Sequence, residues 1–212
     1  MIRIQSFTFN PFQENTYILF DETLQCVIVD PGCSTDSERN VLKNFIEKNK
    51  LTPVRLLNTH SHIDHILGNK FVADTYKLGM EMNELDLPTL AAGATSAAIF
   101  AIEYDESPQP VKFLNEGDTI EFGNSKLEIF FTPGHSKGSI CFYNTHEKFV
   151  IGGDVLFYQS IGRTDLPGGN HQQLLDSIQT KLFSLDNDVK VYSGHGPVTS
   201  IGFEKMNNPF LN

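Results

Sequence analysis

Tryptophan is absent from the 212-residue chain, and cysteine is scarce, with three residues. The number of cysteines is odd, and Cys26, Cys33 and Cys141 do not have the spacing of a metal site. A disulfide framework is therefore not expected. Cys26 and Cys141 fall in apolar runs, and we predict that both are small buried strand residues.

Basic residues are also few. The chain has 16 lysines and arginines against 26 aspartates and glutamates, which gives a formal net charge of -10. Because binding to a phosphate backbone requires a basic face, a nucleic-acid partner is not expected.

Long apolar runs are missing as well. The longest small and apolar stretch, residues 91–101, is interrupted by glycine, threonine and serine, and it falls short of the ~20 residues that a membrane span requires. Residues 1–4 do not begin a secretory signal peptide. We therefore expect a cytoplasmic protein with no membrane partner, folded as one domain over residues 1–212.

Histidine is concentrated in one short stretch. His60, His62, Asp64 and His65 lie directly after the apolar run 54–57. Imidazole is the commonest metal ligand in proteins, and a neighbouring carboxylate suits a divalent ion. A lone histidine is usually a core or surface residue, but three with an aspartate at this density indicate a metal site at the end of a strand.

Three further candidate ligands follow a common pattern. His135, Asp154 and His195 each come after an apolar β run and a turn, in the segments T-P-G-H, G-G-D and S-G-H-G-P. Glycine beside a ligand allows the backbone to approach an ion or substrate closely. Functional residues on loops held by a rigid sheet are the expected arrangement.

The ordered set H-x-H-x-D-H, P-G-H, G-G-D and G-H-G-P resembles the metallo-β-lactamase-fold hydrolases, and within them the glyoxalase II-like branch. The resemblance covers nearly the whole chain. It implies an α/β (α+β) fold, a four-layer αββα sandwich with the ligands along one edge. It also implies that His60, His62 and His135 hold one metal, that Asp64, His65 and His195 hold the other, and that Asp154 bridges both.

The order of apolar runs and turns supports a layered α/β fold. Strands are predicted at residues 2–9, 16–20, 26–29, 118–122, 126–131, 139–143, 149–151 and 189–192. Thr35 and Glu38 form a capping-box pattern that opens a helix. Further helices are predicted at residues 68–76, at 83–104 with a break near Pro88, and at 172–183 with Asn170 as the cap.

The resemblance implies hydrolysis by a metal-bridging hydroxide. Two divalent ions about 3.5–4 Å apart lower the pKa of a shared water and polarise a substrate carbonyl. Asp154 suits the bridging position because a carboxylate has two oxygens, and Asp64 either orients the hydroxide or only balances charge. We expect two zinc ions per chain, with iron or manganese as alternatives, because histidine and aspartate ligands fit all three metals.

A second motif, residues 160–170, resembles the G-R-T-D-x-P-G-G loop of short glyoxalase II-like proteins and, less closely, that of persulfide dioxygenases. Arg163 either binds a substrate carboxylate or pairs with Asp165 and shapes the loop, and the second role is favoured. Phe157 and Tyr158 are candidates for the substrate groove, although aromatic residues in this setting are more often core.

Three other residues, Lys137, His146 and His171, stand in no motif position and are interpreted as surface or capping residues. The chain ends at Asn212, so the C-terminal helical domain of the longer glyoxalase II proteins is not expected. Glutathione as the thiol therefore stays open, as does assembly into a homo-oligomer.

We expect a metal-dependent hydrolase whose partner is a small thioester of the S-lactoylglutathione (hydroxyacylglutathione) type. A thiolate, with a pKa of about 8.5, leaves without a strong general acid. The alternatives are a mononuclear iron persulfide dioxygenase, another hydrolase of a small ester or lactone, and a fold member that binds metal without catalysis.

Overall fold

Two six-stranded sheets form the centre of the computed structural model, which describes residues 1–211. The strands of the first sheet are β1 (Arg3–Phe9), β2 (Glu14–Phe20), β3 (Gln25–Val29), β4 (Thr52–Leu57), β5 (Met80–Met82) and β6 (Lys112–Phe113). They lie in this order across the sheet. The pairs from β1 to β3 are antiparallel, and those from β3 to β6 are parallel.

The second half of the chain forms the other sheet and one small hairpin. Its strands are β7 (Thr119–Phe122), β8 (Ser125–Phe131), β9 (Ile140–Asn144), β10 (Phe149–Gly153), β11 (Leu156–Phe157), β12 (Ser160–Ile161), β13 (Lys190–Ser193) and β14 (Thr199–Ser200). The sheet has the order β14-β13-β10-β9-β8-β7, while β11 and β12 pair with each other. Among the described residues, β10 and β13 form the one parallel pair of the second sheet, and its other pairs are antiparallel.

Helices flank both sheets. They are α1 (Asp36–Lys48), α2 (Ile63–Ile66), α3 (Asn69–Tyr76), α4 (Leu87–Ala91), α5 (Gly93–Ile99), α6 (His171–Ser177) and α7 (Ile201–Asn207). A 3-10 turn, Glu84–Asp86, precedes α4, and a π turn, Ile178–Leu182, continues α6. The capping box at α1 is confirmed: Thr35 accepts from the Glu38 amide, and the Glu38 side chain accepts from the Thr35 amide.

Three hydrophobic clusters separate four layers. Ile18 of β2 packs with the side chains of α1 to α3, whereas Leu19, the next residue, packs with the second sheet. Phe142 of β9 belongs to the same central cluster, and its neighbour Cys141 packs against α6 and α7. This alternation follows from the two-residue period of a strand. The αββα sandwich implied by the family resemblance is therefore confirmed.

Each predicted strand is present, with ends that differ by at most two residues. The prediction for residues 83–104 was wrong in two respects. The interruption falls at Ala92, while Pro88 lies in the first turn of α4, where its missing N–H has no helical partner to lose. The helical segment also ends at Ile99 rather than at Tyr104. Six short elements were not predicted: α2, β5, β11, β12, β14 and α7.

The cysteine prediction is confirmed. All three thiols are buried, and Cys26 and Cys141 lie in β3 and β9. Over residues 1–211, every helix is too short or too polar to cross a bilayer.

The loops with the candidate ligands leave the two sheets at one edge. β4 leads into residues 60–65, and the β8–β9 connection contains His135. β10 ends directly before Asp154, and β13 ends just before His195. A β-bridge between Glu14 and His195 joins this edge of the two sheets.

Candidate metal centre

Three histidines form a first group of ligand atoms. His60 and His62 lie in the turn after β4, and His135 lies in the β8–β9 loop. His135 Nε2 lies 2.8 Å from His62 Nδ1 and 3.2 Å from His60 Nε2. Three imidazole nitrogens from two loops therefore converge on one point.

A second group combines one carboxylate with two histidines. Asp64 and His65 belong to the short helix α2, and His195 follows β13. Asp64 Oδ2 lies 3.1 Å from His195 Nε2 and 3.6 Å from His65 Nε2. All ligand atoms of this group lie within 4.8 Å of one another.

Asp154 lies between the two groups. Its Oδ2 is 3.5 Å from His135 Nε2 and 3.5 Å from His195 Nε2, and its Oδ1 is 3.4 Å from His65 Nε2. A Cβ atom at Gly194 would lie only 2.1 Å from Asp154 Oδ1. Glycine at position 194 therefore leaves room for the carboxylate that faces both groups.

Backbone acceptors orient two of the rings. His135 Nδ1 donates to the Arg163 carbonyl at 2.8 Å, and His195 Nδ1 donates to the Phe12 carbonyl at 3.1 Å. A carbonyl oxygen can only accept, so the proton of each neutral ring lies on Nδ1. The lone pair of Nε2 consequently faces the site, which is the usual way in which an outer partner orients a metal-binding histidine.

Two buried atoms at the centre, His65 Nε2 and Asp154 Oδ1, lack a hydrogen-bond partner among residues 1–211. Buried polar atoms are nearly always paired. An unpaired nitrogen and an unpaired oxygen that face the same space fit a metal ion that would take both as ligands. The two groups, with a carboxylate that faces each of them, fit two divalent cations.

Two histidines of the first group, His60 and His62, favour the neutral form. Burial lowers the pKa of His60 well below its usual value. Burial also lowers the pKa of His62 to about 4, and the nearby ring of His135 acts in the same direction. Both rings therefore keep the lone pairs that a metal requires at neutral pH.

In the second group, carboxylates raise the pKa of both histidines. Burial opposes protonation of His65, but the carboxylates of Asp154 and Asp64 outweigh it and raise the pKa of His65 well above its usual value. Burial likewise opposes protonation of His195, and hydrogen bonds to the same carboxylates raise its pKa to about 9. Burial would raise the pKa of Asp154, but His65 and His195 lower it well below its usual value. The carboxylates are thus ionised and attract a cation.

Sequence analysis missed a buried carboxylate behind the second group. Asp30 accepts from the Thr59 amide at 2.7 Å and from the Thr59 hydroxyl at 2.6 Å. Its Oδ2 also lies 3.2 Å from His65 Nδ1, so it orients that ring. The available signal was the Asp-Pro-Gly turn after β3, which has the same form as the turns that precede the ligands.

A second missed carboxylate, Asp86, joins two ligand loops. It accepts from the Ser61 amide at 2.6 Å and from the Gly138 amide at 2.9 Å. Ser61 stands between two histidines of the first group, and Gly138 follows the third. The partners are distant in sequence, so no local pattern indicated this role.

A cavity of about 750 Å³ opens over the ligand atoms. Five of the candidate ligands line it: His62, Asp64, His135, Asp154 and His195. This volume is typical of a site for a small molecule.

The two candidate aromatic residues have different positions. Phe157 lines the cavity, and its ring centroid lies 6.1 Å from that of His195. Tyr158 lies outside the cavity lining among the described residues, and its ring stacks on Phe203 of α7 at 5.1 Å.

Two cationic side chains line the cavity. Arg163 donates from Nε and Nη2 to the two carboxylate oxygens of Asp165, at 2.7 and 2.8 Å, as in the favoured structural interpretation. Lys137 also lines the cavity, and its side chain is exposed, which agrees with its interpretation as a surface residue. His146 and His171 are exposed and lie outside the cavity lining.

The fold and the site together define a metal-binding α/β sandwich with its ligands on loops at one edge. The sequence matches the metallo-beta-lactamase superfamily over residues 9–195. The chain belongs to this superfamily of metal-dependent hydrolases.

Two curated relatives match over most of their length. The probable metallo-hydrolase YqgX of Bacillus subtilis is 39% identical over 203 residues, which cover 95% of this chain and 94% of the relative. The hydroxyacylglutathione hydrolase GloC of Haemophilus influenzae is 36% identical over 205 residues, with the same coverage of 95% and 94%.

Solved structures give the same fold. The B3 metallo-beta-lactamase BLEG-1 superposes with a TM-score of 0.91 at 35% identity and covers 99% of this chain and 100% of its own. TTHA1623, solved in a di-iron-bound form, has a TM-score of 0.88 at 34% identity and covers 98% and 100%. ETHE1 from Myxococcus xanthus has a TM-score of 0.80 at 26% identity and covers 98% and 83%.

Proposed function

We propose that this protein is a binuclear metallohydrolase that cleaves a small thioester with water to give a carboxylic acid and a thiol. One observation carries the proposal: the Asp154 carboxylate lies 3.4–3.5 Å from histidine nitrogens of both ligand groups. A single carboxylate in this position suits a site for two cations.

Two divalent cations, when bound, supply water with a pKa near neutrality and a Lewis acid for the substrate carbonyl. The residues of the chain have separate tasks. The rings of His60, His62 and His135 would hold one cation, and Asp64, His65 and His195 would hold the other. Asp154 and Asp64 present carboxylate oxygens on the cavity side, where they would accept a hydrogen bond from water and orient it.

A thioester suits this site because its leaving group requires little help. A thiolate, with a pKa of about 8.5, departs without protonation by a strong general acid. GloC of Haemophilus influenzae, whose name describes a hydroxyacylglutathione hydrolase, supports this substrate class. We propose zinc as the metal, with iron as the alternative that the di-iron form of TTHA1623 favours.

The proposal can be tested with the purified full-length chain after loading with zinc or iron. We expect elemental analysis to find about two metal ions per chain. We also expect hydrolysis of acyl thioesters, measured through the release of free thiol. Asp154→Ala should lower both metal content and hydrolysis to background. Asp176→Ala, which removes an exposed carboxylate from α6, is the matched control and should change neither. Full hydrolysis by Asp154→Ala would refute the bridging role.

A second candidate is oxidation of a persulfide by a single iron, which the similarity to ETHE1 favours. His60, His135 and Asp154 would provide its ligands, since His135 Nε2 lies 3.2 Å from His60 Nε2 and 3.5 Å from Asp154 Oδ2. One iron per chain and oxygen consumption on addition of glutathione persulfide, without thioester hydrolysis, would replace the first proposal with this one.

A further inference from the structure

One wall of the cavity is apolar and uncharged. The segment 87–102, which contains α4 and α5, has no charged residue. Apolar Pro88, Ala92, Ile99 and Phe100 from this segment line the cavity, together with the uncharged hydroxyl residues Thr89 and Ser96. Ile99 is 74% exposed and Phe100 is 52% exposed, so large apolar side chains face open space above the site. Exposed apolar surface of this kind marks a binding site when it is continuous with a pocket.

The apolar wall is continuous with the ligand groups. The ring of Phe100 packs edge-on against that of Phe12, with 5.0 Å between the centroids. The carbonyl of Phe12 in turn accepts from His195 Nδ1 at 3.1 Å. Both phenylalanines line the same cavity as His195 and Asp154. A molecule whose reacting carbonyl lies at the ligand groups would therefore place a neighbouring group against this wall.

Lys137 is the cationic side chain of the cavity lining that is available to pair with a ligand. The guanidinium of Arg163 is already engaged by both oxygens of Asp165. Lys137, by contrast, makes no hydrogen bond or ion pair among residues 1–211. Its backbone is fixed by the neighbouring Gly138 amide, which donates to buried Asp86 at 2.9 Å. Lys137 therefore projects an exposed cationic side chain into the cavity lining from a fixed backbone position, two residues after His135.

From this arrangement we propose that the substrates are thioesters with an apolar acyl chain of several carbons and an anionic thiol portion. The acyl chain lies against Phe12, Pro88, Ala92 and Phe100, and the anion of the thiol portion pairs with Lys137. This inference rests on the thioesterase activity proposed above and narrows its substrate class. A short hydroxylated acyl group such as lactoyl leaves the apolar wall in contact with water, so it is the poorer substrate.

A series of acyl chain lengths tests whether the acyl chain binds against the apolar wall. Acetyl, butanoyl and hexanoyl thioesters of one thiol, 3-mercaptopropionate, are compared by kcat/KM with the metal-loaded full chain. Each buried methylene is worth about 0.8 kcal/mol, which is roughly fourfold in rate. Because the wall is open on one side, we expect about twofold to fourfold per methylene, so hexanoyl should exceed acetyl by about 20-fold or more.

Two variants test separately whether the apolar wall selects the acyl chain and whether Lys137 selects the anionic thiol portion. Phe100→Ala should reduce the hexanoyl-to-acetyl ratio about fivefold or more, whereas Phe210→Ala, which removes an exposed phenylalanine outside the cavity lining, should preserve it. Lys137→Gln should reduce the preference for mercaptopropionate over neutral N-acetylcysteamine as the thiol by about threefold at low salt. Lys126→Gln, on the exposed side of β8, is its control.

The outcomes separate the two proposals. If hydrolysis does not depend on chain length, or if lactoyl reacts faster than hexanoyl, the proposed role of the apolar wall in binding the acyl chain is refuted. The proposed thioesterase activity is then still supported. If no thioester is hydrolysed, the proposed function fails, and calorimetric binding of hexanoate against acetate still tests the wall. Tighter binding of hexanoate with a negative heat-capacity change would support it, and equal binding would overturn it.

Discussion

Asp86 should control the geometry of the first ligand group although it contacts no substrate. Its carboxylate is fully buried and accepts from two backbone amides, one in each ligand loop. The Ser61 amide lies between His60 and His62, and the Gly138 amide lies just after His135 in the chain. Asp86→Ala removes both acceptors and leaves two buried donors unpaired.

The size of the effect follows from these two hydrogen bonds. A hydrogen bond to a charged group contributes about 1.5–3 kcal/mol. We therefore expect Asp86→Ala to lower the free energy of unfolding by roughly 3–5 kcal/mol. For a chain of this size, each kcal/mol shifts Tm by about 2–4 °C, so the fall in Tm should be about 6–20 °C. Metal affinity at the first group should fall about 10–100-fold, because outer partners orient the ligands.

Thermal unfolding of the metal-free protein and chelator competition with the metal-loaded protein measure the two effects separately. Asp86→Asn keeps the volume and one acceptor, so it should fall between wild type and Asp86→Ala in both assays. Asp74→Ala is the control, because Asp74 forms only an exposed ion pair with Lys70. Wild-type metal affinity in Asp86→Ala would show that the ligand loops keep their positions without this carboxylate, which would refute the reasoning.

Three further predictions follow from the site. Gly134→Ala should destabilise the fold by about 2 kcal/mol or more in denaturant unfolding, because position 134 has a φ of +135° and a Cβ there would lie 2.2 Å from the Leu174 amide nitrogen. Arg163→Ala should leave KM for thioesters within about threefold of wild type, because the guanidinium is already paired with Asp165 at the surface; a tenfold rise in KM would give Arg163 a role in substrate binding. Removal of metal by a chelator should lower Tm, since free metal at about 1,000 times its Kd stabilises the folded state by about 4 kcal/mol; an unchanged Tm would contradict a native metal site.

Sequence patterns predicted the strands and the ligand loops because both depend on local order. An apolar run of strand length with a following turn is visible within about ten residues, and such a run precedes His135, Asp154 and His195. The helical segment 83–104 was harder, because its small residues have no clear helical period. The position of Pro88 indicated a break, although proline is equally suited to the first turn of a helix.

The residues behind the ligands could not be predicted in the same way. Asp86 is recognised only through contacts with Ser61 and Gly138, which are 25 and 52 residues away in sequence. Lys137 likewise has no distinctive local pattern, and its importance comes from the cavity into which the fold places it. Local sequence therefore predicts the atoms that bind metal better than the atoms that position them.

The distribution of buried charge gives an independent argument for metal at this site. Glu14, Asp30, Asp64 and Asp154 surround the same space, and among residues 1–211 their ion partners are histidines rather than lysines or arginines. Burial raises the pKa of Glu14 well above its usual value, which favours the neutral form of that carboxyl group. The other three carboxylates need positive charge, because a buried ion without a partner costs several kcal/mol.

Protonated histidines would provide this charge only by giving up the lone pairs that converge on the site. Divalent cations provide it and leave the imidazoles neutral, so one cause accounts for both the ligand geometry and the buried acid. The same reasoning explains why the carboxylates cluster in the second ligand group. The first group consists of three imidazole rings and depends on Asp154 for negative charge, whereas the second also has Asp64 and, behind His65, Asp30. The second group should therefore hold its cation more tightly, and partial removal of metal should empty the histidine group first.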